Sequence, residues 1–230
     1  MPADPRLIVA LDLPGRAEAE AMVETLGDAV SFYKVGLQLL AGGGMELAGA
    51  LKARGAKVFL DWKLHDIGAT VEKAAAAIAA TGAGDLLTVH AEPQVMAAAV
   101  RGVAGSGLKV LGVTVLTSLG ASDLEAIGYT LGLDALVERR IRQTVEAGAH
   151  GVIASPHEAA LARSIGGPGF LVVTPGVRPA GAALDDQARA ASPADALKAG
   201  ASHLVVGRPI TAAADPRASA LAITVEMASA

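Results

Sequence analysis

The chain has 230 residues, of which 52% are hydrophobic and 18% charged, with a formal net charge of −4 and no cysteine. That composition is too apolar for a disordered segment and carries no basic excess for a general nucleic-acid or membrane-surface binder. Disulfides and thiolate metal sites are excluded, and a reducing cytoplasm is the natural setting. No stretch approaches the roughly 20 apolar residues of a membrane span, and the opening "MPADPRLIVALDLPG" lacks the basic region and long apolar run of a secretory signal.

Short runs rich in β-branched residues alternate with longer Ala/Leu/Glu/Lys/Arg segments. In chain order the predicted strands are 7–13, 30–36, 57–63, 85–91, 109–116, 151–155, 170–176 and 203–208. Helices are predicted near 16–26, 38–54, 69–81, 93–104, 134–147, 157–164 and 193–199, with a last one after 215. Glycines punctuate many helix ends, as in "ARGAK", "ATGAG", "EAGAH" and "KAGAS". Strict alternation with nearly continuous apolar strands implies a parallel sheet covered by helices. Eight such units over residues 1–230 point to one closed (β/α)₈ TIM-barrel domain, with an open doubly wound sheet as the alternative. The longest irregular stretches, about 117–132 and 174–192, are of the length that serves as binding loop or lid.

Chemistry in such a barrel collects at the C-terminal strand ends. Those ends carry Asp12, Lys34, Asp61 with Lys63, His90, Thr117, Ser155, Arg178 and Arg208 in turn. In "VFLDWKLHDIGAT" the period of two sends Phe59, Asp61 and Lys63 to one side and Val58, Leu60 and Trp62 to the other. The second set is greasy and suits the helices, so the first faces the barrel axis. Inward charges are costly unless paired; Lys63 with Asp61, and Lys34 on the adjacent strand, compensate one another. Asp66 has a plain reading as a helix-capping carboxylate, but four charges converging from two strands favour a site.

Loops after strands seven and eight often hold phosphate. "TPGVRP" and "VVGRPI" place Arg178, Gly207 and Arg208 there, and arginine's planar fork matches phosphate oxygens. His65 lies off the Asp61/Lys63 parity and suits hydrogen bonding or packing. The other histidines show no metal-ligand spacing, and Ser155 before Pro156 reads as a helix start, not a nucleophile.

These pieces, in this order, resemble the orotidine 5′-phosphate decarboxylase family. "DWKLHDI" matches its D-x-K-x-x-D signature, and "VALDLP", "YKVGLQL", "GVTVLTSL", "VTPGVRP" followed by "DDQAR", and "VVGRPI" extend the match through nearly the whole chain. The resemblance implies decarboxylation of orotidine 5′-monophosphate to uridine 5′-monophosphate without metal or organic cofactor. Lys63 would be the proton donor, with Lys34, Asp61 and Asp66 completing a charged network. Asp66, Ile67 and Thr70 would reach into a partner subunit's site, which implies a homodimer with shared active sites. Asp12 would contact the ribose and Thr117, beside Ser118, the pyrimidine. Arg178, Gln187, Gly207 and Arg208 would grip the phosphate, with 177–190 as a lid. The chain departs from the family after Asp-Ile, where Gly68 and Ala69 replace a frequent Pro-Asn, and at Trp62, which replaces an aliphatic residue.

Two rivals remain on sequence. Sugar-phosphate decarboxylases or synthases of the same superfamily share the signature but use magnesium, with an acid where Lys34 stands. A non-catalytic phospho-ligand-binding barrel would keep the arginine loops but has no need of the lysine–carboxylate set.

Overall fold

The computed structural model describes residues 3–179 and 191–230. The alternation read from the sequence is present: β1 (Leu7–Ala10), α1 (Arg16–Leu26), β2 (Phe32–Gly36), α2 (Gly44–Ala53), β3 (Lys57–Leu64), α3 (Gly68–Thr81), β4 (Leu86–His90), α4 (Pro93–Gly102) and β5 (Lys109–Val113). It continues with α5 (Ala121–Ile127), α6 (Leu133–Glu146), β6 (Gly151–Ile153), α7 (Ala159–Gly166), β7 (Leu171–Thr174), α8 (Pro193–Lys198), β8 (His203–Val206), α9 (Arg208–Thr211) and α10 (Pro216–Met227). All strand pairs are parallel, and β8 closes onto β1 through Leu7–Leu204, Ile8–Val205 and Val9–Val206. The result is a closed eight-stranded (β/α)₈ barrel, and the open sheet is ruled out.

Strand parity sorts the side chains into two cores. Ile8, Phe32, Phe59, Leu86, Leu111, Val173 and their neighbours fill the barrel axis. Val9, Tyr33, Val58, Leu60 and Trp62 point outward to pack beneath the helices. Phe59 and Trp62 therefore face as the alternation predicts. Burial of these apolar faces supplies the driving force for closure, at roughly 25 cal/mol per Å² removed from water.

Differences from expectation concentrate at the C-terminal strand ends and in two helices. Most strands stop two or three residues early, so that Asp12, Thr117, Ser155 and Arg178 stand in loops just past the ladder. Helix α2 begins at Gly44 rather than 38, because Gly43 adopts a left-handed conformation (φ 89°) that interrupts any helix running in from Gln38. The stretch read as irregular at 117–132 contains α5, whose start is fixed by the Asp123 carboxylate accepting from Gly120 N–H at 2.8 Å.

Candidate active site

A cavity of about 490 Å³ opens at the C-terminal end of the barrel. Its floor is the top of the inner core, Phe59, Val113, Ile153 and Val205, and its walls mix polar side chains with Val115, Leu116 and Pro175. Of the residues singled out in the sequence, Asp12, Lys34, Asp61, Lys63, Thr117, Arg178, Gly207 and Arg208 all line it.

The charges form an alternating row. Lys34 is only 7% exposed, and its Nζ donates to Asp12 Oδ1 and Oδ2 at 2.9 and 3.1 Å and lies 3.4 Å from Asp61 Oδ2. Lys63 Nζ donates to the other Asp61 oxygen, Oδ1, at 2.8 Å. The sequence is thus Asp12, Lys34, Asp61, Lys63, with each interior member flanked by opposite charge. Burial pushes the Asp61 carboxyl up, but the ammoniums of Lys34 and Lys63 and the hydrogen bonds from Lys63 and Thr88 outweigh it and hold Asp61 below the usual carboxylate range. Asp61 is therefore an anion, fixed between two cations.

Asp12 gains a partner that sequence reading did not give it: beyond the ribose contact implied by resemblance, it bonds Lys34. Gly36 was also missed. On the ladder it lies opposite Asp61, and a Cβ there would stand 2.6 Å from Asp12 Oδ1 and 2.9 Å from Lys34 Nζ. Glycine lets that ion pair sit where it does; a larger residue would push one of its ends aside. The signal was present in "YKVG", but a strand-end glycine has many possible reasons. Gln38, which lines the cavity, was likewise passed over because it falls in what reads as a helix.

The remaining candidates lie elsewhere. Asp66, Ile67 and Thr70 are solvent-exposed, and Ile67, at 71%, is among the most exposed large apolar residues described. Asp66 does not cap α3, whose N-cap is Ile67 with no side-chain cap bond; its Oδ1 accepts from Ile67 N–H at 2.6 Å. Within one chain Asp66 thus stays apart from the Lys63 row. His65 Nε2 lies 3.1 Å from Glu92 Oε2, and its ring sits 4.9 Å from that of His90 at a tilt of 42°, so both histidines stand at the rim rather than in the cavity. Arg178 is 8% exposed, donates from Nη1 to Val177 O at 3.1 Å, and its backbone N–H bonds Ala191 O at 3.0 Å. Gln187 and most of the predicted lid lie outside the described residues.

Comparison with known proteins places this geometry. Residues 5–223 match the family model described as "Orotidine 5'-phosphate decarboxylase / HUMPS family". A protein named orotidine 5′-phosphate decarboxylase from Caulobacter sp. (strain K31) is 68% identical over 99% of both chains. One of the same name from Cereibacter sphaeroides is 56% identical over 98% of each. The crystal structure of orotidine 5′-phosphate decarboxylase from Lactobacillus acidophilus superposes with a TM-score of 0.85 at 37% identity, covering 97% of this chain and 99% of that one. A family match across the barrel, relatives of this identity and the row of alternating charges agree: the chain belongs to the orotidine 5′-phosphate decarboxylase family.

Proposed function

We propose that this chain decarboxylates orotidine 5′-monophosphate to uridine 5′-monophosphate and CO₂, with Lys63 as the proton donor. The observation that carries the reading is the partly buried row Asp12–Lys34–Asp61–Lys63 at the barrel mouth. Breaking the bond from C6 to the carboxylate leaves an electron pair in an sp² orbital with no adjacent π-system to receive it. An ammonium held in place stabilises that charge electrostatically and then delivers a proton to C6. Lys63 Nζ, bonded to Asp61 and lining the cavity, suits both tasks. Asp61, kept anionic, would crowd the substrate carboxylate and favour its departure. Arg178, Gly207 and Arg208 line the cavity and would hold the phosphate, with Gln187; gripping a group remote from C6 lets binding energy organise the reacting end. Thr117 would meet the pyrimidine.

The functional unit in this reading is a homodimer of single-domain barrels in the cytoplasm. Ile67, Leu37, Leu40, Leu116 and Ile127 are exposed on loops and a short helix that follow the strands' C-terminal ends, a surface that invites burial. A second copy docked there would carry its Asp66, Ile67 and Thr70 toward this chain's cavity.

The test is loss of orotidine 5′-monophosphate absorbance on mixing with purified protein, with and without a chelator. Chelator-insensitive turnover is expected, since Lys34 Nζ occupies the space between the Asp12 and Asp61 carboxylates, where a divalent cation would be repelled. Turnover abolished by chelator would mean that a cation enters the site despite Lys34, and no turnover at all would favour the rival readings, a sugar-phosphate enzyme or a binding barrel.

A further inference from the structure

β3 does not run straight into its loop. Its ladder with β4 pairs Leu60 with Leu87 and resumes at Leu64 opposite Val89, so that residues 61–63 face the single residue Thr88. Within this bulge Lys63 has a φ of 48°, the one positive value at a non-glycine position among the described residues. Such a conformation is costly and persists only where its surroundings over-determine it.

One side chain bonds both the backbone and the carboxylate of this turn. Thr88 is fully buried (0% exposed), on the same inward face of β4 as Leu86, which belongs to the barrel's inner core. Its Oγ1 accepts from Lys63 backbone N–H at 3.0 Å and donates its own proton to Asp61 Oδ1 at 3.0 Å. That is the oxygen to which Lys63 Nζ donates. A hydroxyl has one proton and two lone pairs, so both bonds form at once. We infer that Thr88 is a positioning residue: a single hydroxyl locks the left-handed backbone of Lys63 and the carboxylate that aims its ammonium. It touches no reacting atom and acts through Lys63 and Asp61, so this inference rests on the reading of Lys63 as proton donor. Valine has the shape of threonine but can make neither bond: it strands a buried backbone N–H and leaves Asp61 Oδ1 with the Lys63 ammonium alone.

The experiment compares Thr88→Val and Thr88→Ser with the parent enzyme by kcat, inhibition by uridine 5′-monophosphate and the pH dependence of kcat. Thr88→Val should lower kcat about 10–100-fold, while the inhibition constant for the product stays within about twofold. The acid limb of kcat should move to higher pH, because Asp61 loses a hydrogen bond that favours its anion. Thr88→Ser should recover kcat to within about threefold of the parent. If Thr88→Val does not fold, Thr88→Ala is read by the same criteria. A kcat within about twofold of the parent in the variants without the hydroxyl, a serine variant as slow as the valine one, or an equal loss of kcat and product binding would each overturn the inference. An active Lys63→Ala enzyme would instead remove the proposed proton donor, whatever Thr88 variants do.

Discussion

β2 and β3 carry a polar layer at each end of the barrel, with Phe32 and Phe59 on the axis beside them. At their N-terminal end Phe32 lies opposite Lys57; two residues on, Lys34 lies opposite Phe59; two further, Gly36 lies opposite Asp61. At the bottom Lys57 is exposed, with its ammonium 5.9 Å from the Phe32 ring centroid, and His203 meets the same ring edge-on at 5.8 Å. At the top Lys34 is 7% exposed and locked between two carboxylates. The chemistry of the residues is similar; what differs is desolvation. A lone ammonium at the open bottom keeps its water and contributes little beyond a weak cation–π contact. Ammoniums drawn into the top must be paired, and that pairing presets a field that a reacting carbon can use.

The widest break in this comparison comes from removing one lysine at each end. Lys63→Ala should reduce turnover by at least about 10⁴-fold, since it deletes both proton donor and charge. The fold should remain, because Asp61 keeps Lys34 as a partner. Lys57→Ala should leave turnover within about twofold, as expected for a surface charge. Steady-state rates of the two purified variants check both statements; equal losses would erase the distinction between the ends.

Next in size is the ring at the bottom of the axis. Phe32 is 2% exposed on the barrel axis, and Phe32→Ala should cost about 3–5 kcal/mol of stability in denaturant melts through cavity formation. Its folded fraction should keep near-parental kcat, because the ring lies below the charged row.

Gly36→Ala sharpens the top alone. The added methyl would overlap Asp12 Oδ1 and Lys34 Nζ, and overpacking of this kind costs about 1–3 kcal/mol. Turnover should fall about 5–150-fold if all of that strain reaches the transition state, and about 2–13-fold if half of it does. Alanine substitution at Gly55, where a Cβ would meet nothing within 4 Å, is the control: it is strained by its own φ of 81° but distant from the row, and should change stability without changing kcat.

The barrel was legible because its signal is redundant: eight apolar runs with one period, each bounded by turns, and a parity on β3 that correctly separated Phe59 from Trp62. Lys34 and Asp61 were legible for the same reason, since period two fixes which way a strand residue points; Lys63 lines the mouth as expected although the bulge at residues 61–63 breaks that period. Legibility failed where position depends on long-range approach. Gly36 is required by a side chain 24 residues earlier in the chain, Asp12. Thr88 matters through a bulge on the neighbouring strand, and neither requirement leaves a periodic trace. Helix α5 was missed because its capping glycine and Asp123 sit among residues that also favour turns. Asp66 was read two ways, as helix cap and as partner-reaching carboxylate, and the first is excluded by the N-cap at Ile67.

The smallest effect belongs to the bottom layer and appears only as pH changes. Burial, with Lys57 and Lys109 adding positive charge, depresses the His203 imidazolium from the usual histidine value of 6.5 to about 4. The folded pKa is below the unfolded one, so between those values the unfolded chain binds the extra proton. Stability is then complete above about pH 6.5 and declines as pH falls toward 4. At pH 5 His203 should account for about 1–2 kcal/mol of the decline, discounted for its partial solvent contact. His90 and His150 are shifted in the same direction by burial, so the parent protein alone cannot isolate the effect. Urea melts of His203→Gln and parent at pH 7.5 and pH 5 do: the lost contact with Phe32 is independent of pH, and the difference between the two slopes belongs to the imidazole. Parallel slopes would mean that His203 is protonated in the fold and that the bottom of the barrel is wetter than its packing implies.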